Sequence, residues 1–387
     1  MLVDGEHYPP VVRDALAALP YEVVAALLVG GTEKLLGGED YGVPLVGALD
    51  EAGAEVVVDL SDEPVLGPRE RLLWASRALA LGLPYEGADF RFDPPPFHPV
   101  ECPSLAVIGT GKRIGKTAVA GHVARLLARE QRVVVVAMGR GGPPEPEVVE
   151  TPPQLDDLVA LARSGRHAAS DHLEIAALAG LPTVGCRRAG GGLAGATFDS
   201  NVLEGAQAAL ALEPELLVFD GSGAALPPVA ADARILVTNR LHDVREGLNA
   251  YRVLVSDLVV DTGGADHEAI RAIAPLPVVP AELRLRPQRP LGGRRTAVFT
   301  TGPAPTGHLD AEVVHVSRNL ARREALREDL ERVDAEVYLV ELKAAAIDVV
   351  AEAALERGAE VVLAANDIAS DGLDEQVLEL VGGTVRT

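Results

Sequence analysis

Residues 104–117 read SLAVIGTGKRIGKT, an apolar run that breaks into a glycine loop ending in Gly-Lys-Thr. Helical spacing resumes at once, with Val119, Val123, Leu126 and Leu127 on one face of TAVAGHVARLLARE. Strand, glycine loop and helix start together are a narrow specification. The backbone amides of such a loop point at a phosphate, and the helix dipole favours its charge. Lys116 then reaches the β/γ-phosphates of a nucleotide from a solvent-facing position, and the Thr117 hydroxyl holds Mg²⁺. The order Gly109, Gly111, Ile114 fails the dinucleotide fingerprint, which needs a third glycine.

The loop is one residue longer than the usual G-x-x-x-x-G-K-T, because Thr110 stands where the first glycine belongs and Gly109 lies one further back. This extended form resembles the loop of dethiobiotin synthetase and its relatives. Gly109, Thr110, Gly111, Lys112, Arg113, Gly115, Lys116 and Thr117 are therefore the expected ATP-binding residues. The segment LLVFDGSG ends a buried strand at Asp220, where a P-loop enzyme places a carboxylate for Mg²⁺; capping of the next turn is the plainer alternative. Asn239, after the strand RILVT, either bonds the edge of adenine or forms a turn.

Two Pro-rich stretches, Asp93 to Pro103 and Arg284 to Arg295, read as linkers. They divide the 387 residues into expected domains at 1–97, 98–290 and 291–387. In the first, strands at LVD, VVAALLVGG and EVVVDL alternate with helices at PPVVRDALAAL and from about Pro68 to Leu81. In the second, SLAVIG, RVVVVAM, PTVGC, LLVFD, RILVTN and DLVVD lack polar alternation, which implies a mostly parallel sheet covered on both faces. The third shows AVFTT, AEVYLVEL and AEVVLAAN. The expected fold is α/β, with a central P-loop NTPase domain between two smaller Rossmann-like α/β domains.

A formal net charge of −22 argues against nucleic acid or an anionic membrane as partner, but leaves room for a local basic pocket holding a small anion. No stretch approaches the ~20 apolar residues of a membrane span. Asp4 and Glu6 interrupt any signal-like run at the start, so the cytoplasm is the expected location. Cys102 and Cys186 lack metal-ligand spacing, and Cys186 reads as a small buried side chain. A homodimer is possible.

Arg140 in MGRGGPPEPE and Arg187 and Arg188 in GCRRAGGG follow strands and sit among glycines, at the strand ends where α/β ligands bind. Arginine forks suit phosphate. Glu145 stands where it could contact Mg²⁺ or water. His7, Lys34 and Lys343 are further candidates for an anionic substrate, although loop and cap chemistry also accounts for each. The first domain is expected to close over the loop and bring His7 and Lys34 to the substrate. Lys112, Lys116, Arg140 and Asp220 are the expected catalytic groups.

Taken together, DGEHYPPVV, GGTEK, GTGKRIGKTAV, MGRGGPPEPE, FDGSGAALPPV and ELKAAAIDVV resemble the cyclic 2,3-diphosphoglycerate synthetase family, from Asp4 to Val350. The chain is shorter than the archaeal members, so loops are trimmed. The resemblance implies an enzyme that uses ATP and Mg²⁺ to join the two phosphates of 2,3-diphosphoglycerate into a phosphoanhydride, releasing ADP and phosphate. An ATP-dependent ligase or kinase of the dethiobiotin synthetase type, acting on a small carboxylate, is the nearest alternative. A P-loop nucleotide switch that binds a protein partner is a different one.

Overall fold

A computed structural model describes the chain except for residues 167, 169, 303, 343–345 and 385–387. The N-terminal part runs β1 (Leu2–Val3), α1 (Pro9–Ala18), β2 (Leu27–Leu28), β3 (Val57–Val58), α2 (Pro68–Ala80), β4 (Tyr85–Glu86) and β5 (Arg91–Phe92). Proline opens both helices, where its missing N–H has no partner to lose. The strands are shorter than their apolar runs suggest. β1 pairs with β2 and β3 with β4, both in parallel, and Leu2 bridges to Asp59.

The central part runs β6 (Ser104–Gly109), α3 (Lys116–Leu127), β7 (Val133–Gly139), β8 (Glu147–Val149), α4 (Leu155–Arg163), α5 (Asp171–Ala179), β9 (Thr183–Ala189) and β10 (Asp199–Ser200). It continues with α6 (Val202–Leu210), β11 (Leu216–Asp220), β12 (Ala233–Thr238), α7 (Asn249–Leu254), β13 (Leu258–Asp261), α8 (His267–Ile273) and β14 (Val278–Pro280). The sheet order is β10-β9-β7-β11-β6-β12-β13-β14, with β8 beside β9. From β9 to β14 the neighbours are parallel. Every residue of β6, β7 and β11 is buried. Leu105, Val107, Val135 and Val218 face one apolar core, and Ala106, Ile108, Val136 and Phe219 face the other. Alternate side chains thus enter opposite layers, and the uninterrupted apolar runs follow from burial on both faces.

The last part runs β15 (Glu282–Pro287), β16 (Arg295–Phe299), β17 (Glu312–Ser317), α9 (Arg323–Arg332), β18 (Val337–Glu341), a π-helical turn at Ala346–Ala351, α10 (Glu352–Arg357), β19 (Glu360–Ala369) and α11 (Leu373–Thr384). Its sheet order is β15-β19-β18-β16-β17, with only β15 antiparallel. The stretch from Arg284, read as linker, is a strand over its first residues. It lies at a sheet edge, where proline is tolerated. Apolar packing on two sides helps hold this sheet against the central one. Leu373, Val377 and Val381 of α11 enter the core beneath α3, and Leu158 and Leu173 of α4 and α5 share a core with Phe299 and Tyr338. Among the described residues, no helix is long and apolar enough to cross a membrane.

Candidate active site

β6 ends at Gly109, and the loop turns through left-handed conformations at Arg113 (φ 62°) and Gly115 (φ 75°) into α3. Gly109 has no room for a side chain. A Cβ there would lie 2.5 Å from Ile114 Cδ1 and 3.1 Å from the Gly223 carbonyl oxygen. Three successive loop carbonyls are held from outside. His242 Nε2 lies 3.0 Å from the Lys112 oxygen, Asn239 Nδ2 donates to Arg113 at 3.2 Å, and Thr262 Oγ1 donates to Ile114 at 2.7 Å. The amides of Gly111 to Gly115 have no protein acceptor among the described residues. Fixing the carbonyls outward leaves a cup of amides for an anion.

Neighbouring strands bring Asp220 to this cup, since β11 pairs with β6 and sets Asp220 opposite Val107. Asp220 is fully buried, and its Oδ1 accepts a hydrogen bond from Lys116 Nζ. Its Oδ2 is buried with no partner among the described residues. Burial pushes the Asp220 carboxyl up to about 6; Lys116 opposes that rise and Asp171 adds to it. Lys116 itself is only 8% exposed, so it is not the solvent-facing side chain expected. Its length folds back along the loop onto Asp220 instead of projecting outward.

Cations gather around Gly223. A Cβ at that position would lie 3.6 Å from Lys112 Cγ, 3.9 Å from Arg188 Nη2 and 4.0 Å from Arg140 Nη2. Lys112 and Arg140 are exposed and hold no carboxylate among the described residues. Arg188 is buried and donates to the carbonyls of Gly190 and Ser222, which fixes the loop after Asp220. Burial, with Arg140 alongside, lowers the Arg188 pKa, and Asp171 partly offsets this.

The loop opens into a cavity of about 1130 Å³. Lys112, Arg113, Lys116, Thr117 and Arg140 line it on one side. Ser170, Asp171 and Glu174 at the start of α5 line it beside Asp220, and Thr301, Arg318 and Glu341 line the facing wall. Glu341 follows a strand beside Lys343 and reads equally as loop or cap chemistry. Nothing in the sequence marks the other five, because serine and acids at a helix start also read as capping and a lone arginine as a surface residue.

Other expected site residues lie elsewhere. Arg187 points to the opposite face of β9 from Arg188 and is exposed, as the two-residue period of a strand requires. Thr110 is 3% exposed and spends its hydroxyl on Thr238, 3.0 Å away. The Asn239 amide is committed to Arg113, and its Oδ1 accepts from Leu241 N at 2.9 Å, so the side chain braces the loop. Glu145 is exposed and outside the cavity lining. His7 sits in the N-terminal part between Asp4, at 2.8 Å, and Asp62, at 3.3 Å, also outside that lining. Lys343 and the side chain of Lys34 lie outside the described residues.

Family models for cyclic 2,3-diphosphoglycerate synthetase match three stretches, the N-terminal domain at residues 1–93, the P-loop domain at 104–273 and the C-terminal domain at 292–367. A relative from Rubrobacter xylanophilus named cyclic 2,3-diphosphoglycerate synthetase is 49% identical, with 98% of this chain and 96% of that one covered. Namesakes from Thermococcus gammatolerans and Thermococcus kodakarensis are 44% and 43% identical, again covering 98% of this chain and 96% and 97% of their own. The solved structure of LpxK from Aquifex aeolicus aligns over 75% of this chain and 90% of its own at 16% identity and a TM-score of 0.45, too distant to bear on function. The protein is an enzyme, and its P-loop domain fits an ATP-dependent ligase. By the span and identity of these matches, the chain belongs to the cyclic 2,3-diphosphoglycerate synthetase family.

Proposed function

We propose that this enzyme uses ATP and Mg²⁺ to close 2,3-diphosphoglycerate into its cyclic phosphoanhydride, releasing ADP and phosphate. The carrying observation is one cavity that joins an amide cup, Lys116 with buried Asp220 behind it, and cations without carboxylate partners among the described residues. Such a cavity suits a ligand pair of high negative charge, and the relatives' name supplies a substrate of that kind.

One substrate phosphate oxygen attacks the γ-phosphorus of ATP, and ADP leaves. An oxygen of the second substrate phosphate then attacks the phosphorus of the first. The P–O–P bond of the ring forms, and the transferred group departs as inorganic phosphate. Such transfer needs positioning and charge neutralisation more than a protein nucleophile. The amide cup and Lys116 hold the nucleotide phosphates. Lys112 and Arg140 neutralise the attacking group, and Arg188 keeps the Ser222–Gly223 loop in place for them.

The residues present suit a hard divalent cation. Asp220 Oδ2 is a buried oxygen without a partner among the described residues, and Thr117 lines the cavity next to Lys116, whose ammonium donates to the same carboxylate. Mg²⁺ there would neutralise charge on the transferring phosphoryl group. Domain roles follow the division expected at 1–97, 98–290 and 291–387, except that β15 at Glu282–Pro287 joins the last sheet and moves the second boundary ahead of it; catalysis falls to the middle part.

The test is ADP release from Mg-ATP across a panel of 2,3-diphosphoglycerate, monophosphoglycerates and dicarboxylates. Release confined to the diphosphoglycerate is expected. Release driven by a dicarboxylate alone would replace this reading with a carboxylate-activating ligase.

A further inference from the structure

The C-terminal sheet turns the carboxyl ends of its parallel strands toward the P-loop. Its parallel strands lie in the order β17-β16-β18-β19, so the chain leaves β16 toward one side and β18 toward the other. Crevices form at such a reversal, outside the carboxyl ends of the strands. Here those ends are Thr300–Gly302 after β16 and Glu341 at the end of β18. Thr301, Gly302 and Glu341 all line the P-loop cavity, and Arg318 and Arg322, just after β17, line it beside them. Leu283 of β15 presses on the P-loop directly, 2.9 Å from where a Cβ on Gly115 would stand.

The edge is built and held. Glu341 is buried and accepts from the Thr301 amide at 2.7 Å, the Thr301 hydroxyl at 3.0 Å and Asn366 Nδ2 at 3.1 Å. The carboxylate is thus occupied in tying the ends of β16, β18 and β19 together. The cations of this sheet fall into two groups. Arg286, Arg289, Arg294 and Arg295 each hold a carboxylate, outside the cavity lining. Arg318, in the lining, has no partner among the described residues, and Arg322 holds only Asn319. In a chain of net charge −22, cations kept clear of carboxylates inside a cavity call for an anionic ligand.

Resting on the proposed function, we infer that this edge is the second phosphate subsite, with Arg318 as its principal cation. It would seat the substrate phosphate that is not facing the nucleotide, from the C-terminal side of the cavity instead of the N-terminal part. Glu341 is a positioning residue that holds the Thr301 turn.

The test fills the nucleotide site with the ATP analogue AMPPNP and titrates wild type, Arg318→Ala and Arg318→Lys by calorimetry. The ligands are 2,3-diphosphoglycerate and inorganic pyrophosphate. Losing one charge-assisted contact should weaken both about tenfold to hundredfold in Arg318→Ala. Arg318→Lys should recover part of that, and AMPPNP affinity and melting temperature should stay near wild type. If Arg318→Ala binds both anions like wild type, or loses AMPPNP instead, the subsite is overturned. If wild type ignores diphosphoglycerate yet binds pyrophosphate through Arg318, the subsite stands and the proposed substrate falls.

Discussion

Replacing Lys116 with alanine should destabilise the protein in a strongly pH-dependent way. Asp220 is fully buried, and burial raises its carboxyl from 3.8 to about 6 even with Lys116 in contact. A folded-state pKa above the unfolded value means the folded protein binds the proton more tightly, so stability falls as pH rises from about 4 to about 6. At 1.36 kcal/mol per unit, the ionised Asp220–Lys116 pair then costs wild type about 3 kcal/mol at any pH above 6. Without Lys116 the carboxyl takes a proton instead of remaining a bare buried charge. The cost of that proton keeps growing with pH, by roughly 1 kcal/mol for each further pH unit. Lys116→Ala should therefore match wild type near pH 5, fall on the order of 1 kcal/mol below it at pH 7 and about twice that at pH 8. Urea unfolding of the nucleotide-free proteins at the three pH values measures this. A deficit at pH 5 as large as that at pH 8 would refute the buried-pair argument.

Asp220→Asn should lower kcat by about 10²–10³ while leaving nucleotide affinity much less affected, because the carboxylate would hold the Mg²⁺ that offsets charge on the transferring group, and that matters most in the transition state. Steady-state rates against Mg²⁺ check it, and unchanged Mg²⁺ dependence would make Asp220 a structural cap. Arg252, 2% exposed and without a carboxylate, donates to the carbonyls of Leu193, Ala224 and Leu248; Arg252→Ala should cost about 3 kcal/mol or more in urea unfolding. Burial pushes the Cys186 thiol up to about 12, so native protein at pH 8 should give the disulfide reagent DTNB at most one reactive thiol, Cys102, and both after denaturation.

The parts legible in the sequence are those set by local chemistry. The strand–loop–helix at Gly109 and the buried run ending in Asp220 stand out because glycines and uninterrupted apolar residues leave few other readings. Edge elements were harder. β17 alternates exposed and half-buried residues, and β15 carries proline, so neither resembles the apolar core strands. Arg187 and Arg188 look equivalent in a glycine-flanked pair, yet strand alternation alone could have separated them. Of the facing wall of the cavity, the sequence marks only Glu341, and not its place, for a different reason. Thr301, Arg318 and Glu341 are far from the P-loop in sequence and meet it because α4, α5, α11 and the edge strands β15 and β19 lock the last sheet against the central one. Asn239 and His242 show the same limit, since a side chain that braces a loop and one that binds a ligand have the same polar character.

The central claim is the bond that forms, and phosphorus NMR reads it directly. Purified enzyme is given Mg-ATP and 2,3-diphosphoglycerate, and the spectrum is followed as substrate is consumed. The account predicts that the two phosphomonoester signals give way to phosphoanhydride signals that persist after nucleotide removal, with ADP and inorganic phosphate appearing one for one. ADP and phosphate accumulating while both monoester signals remain intact would contradict it.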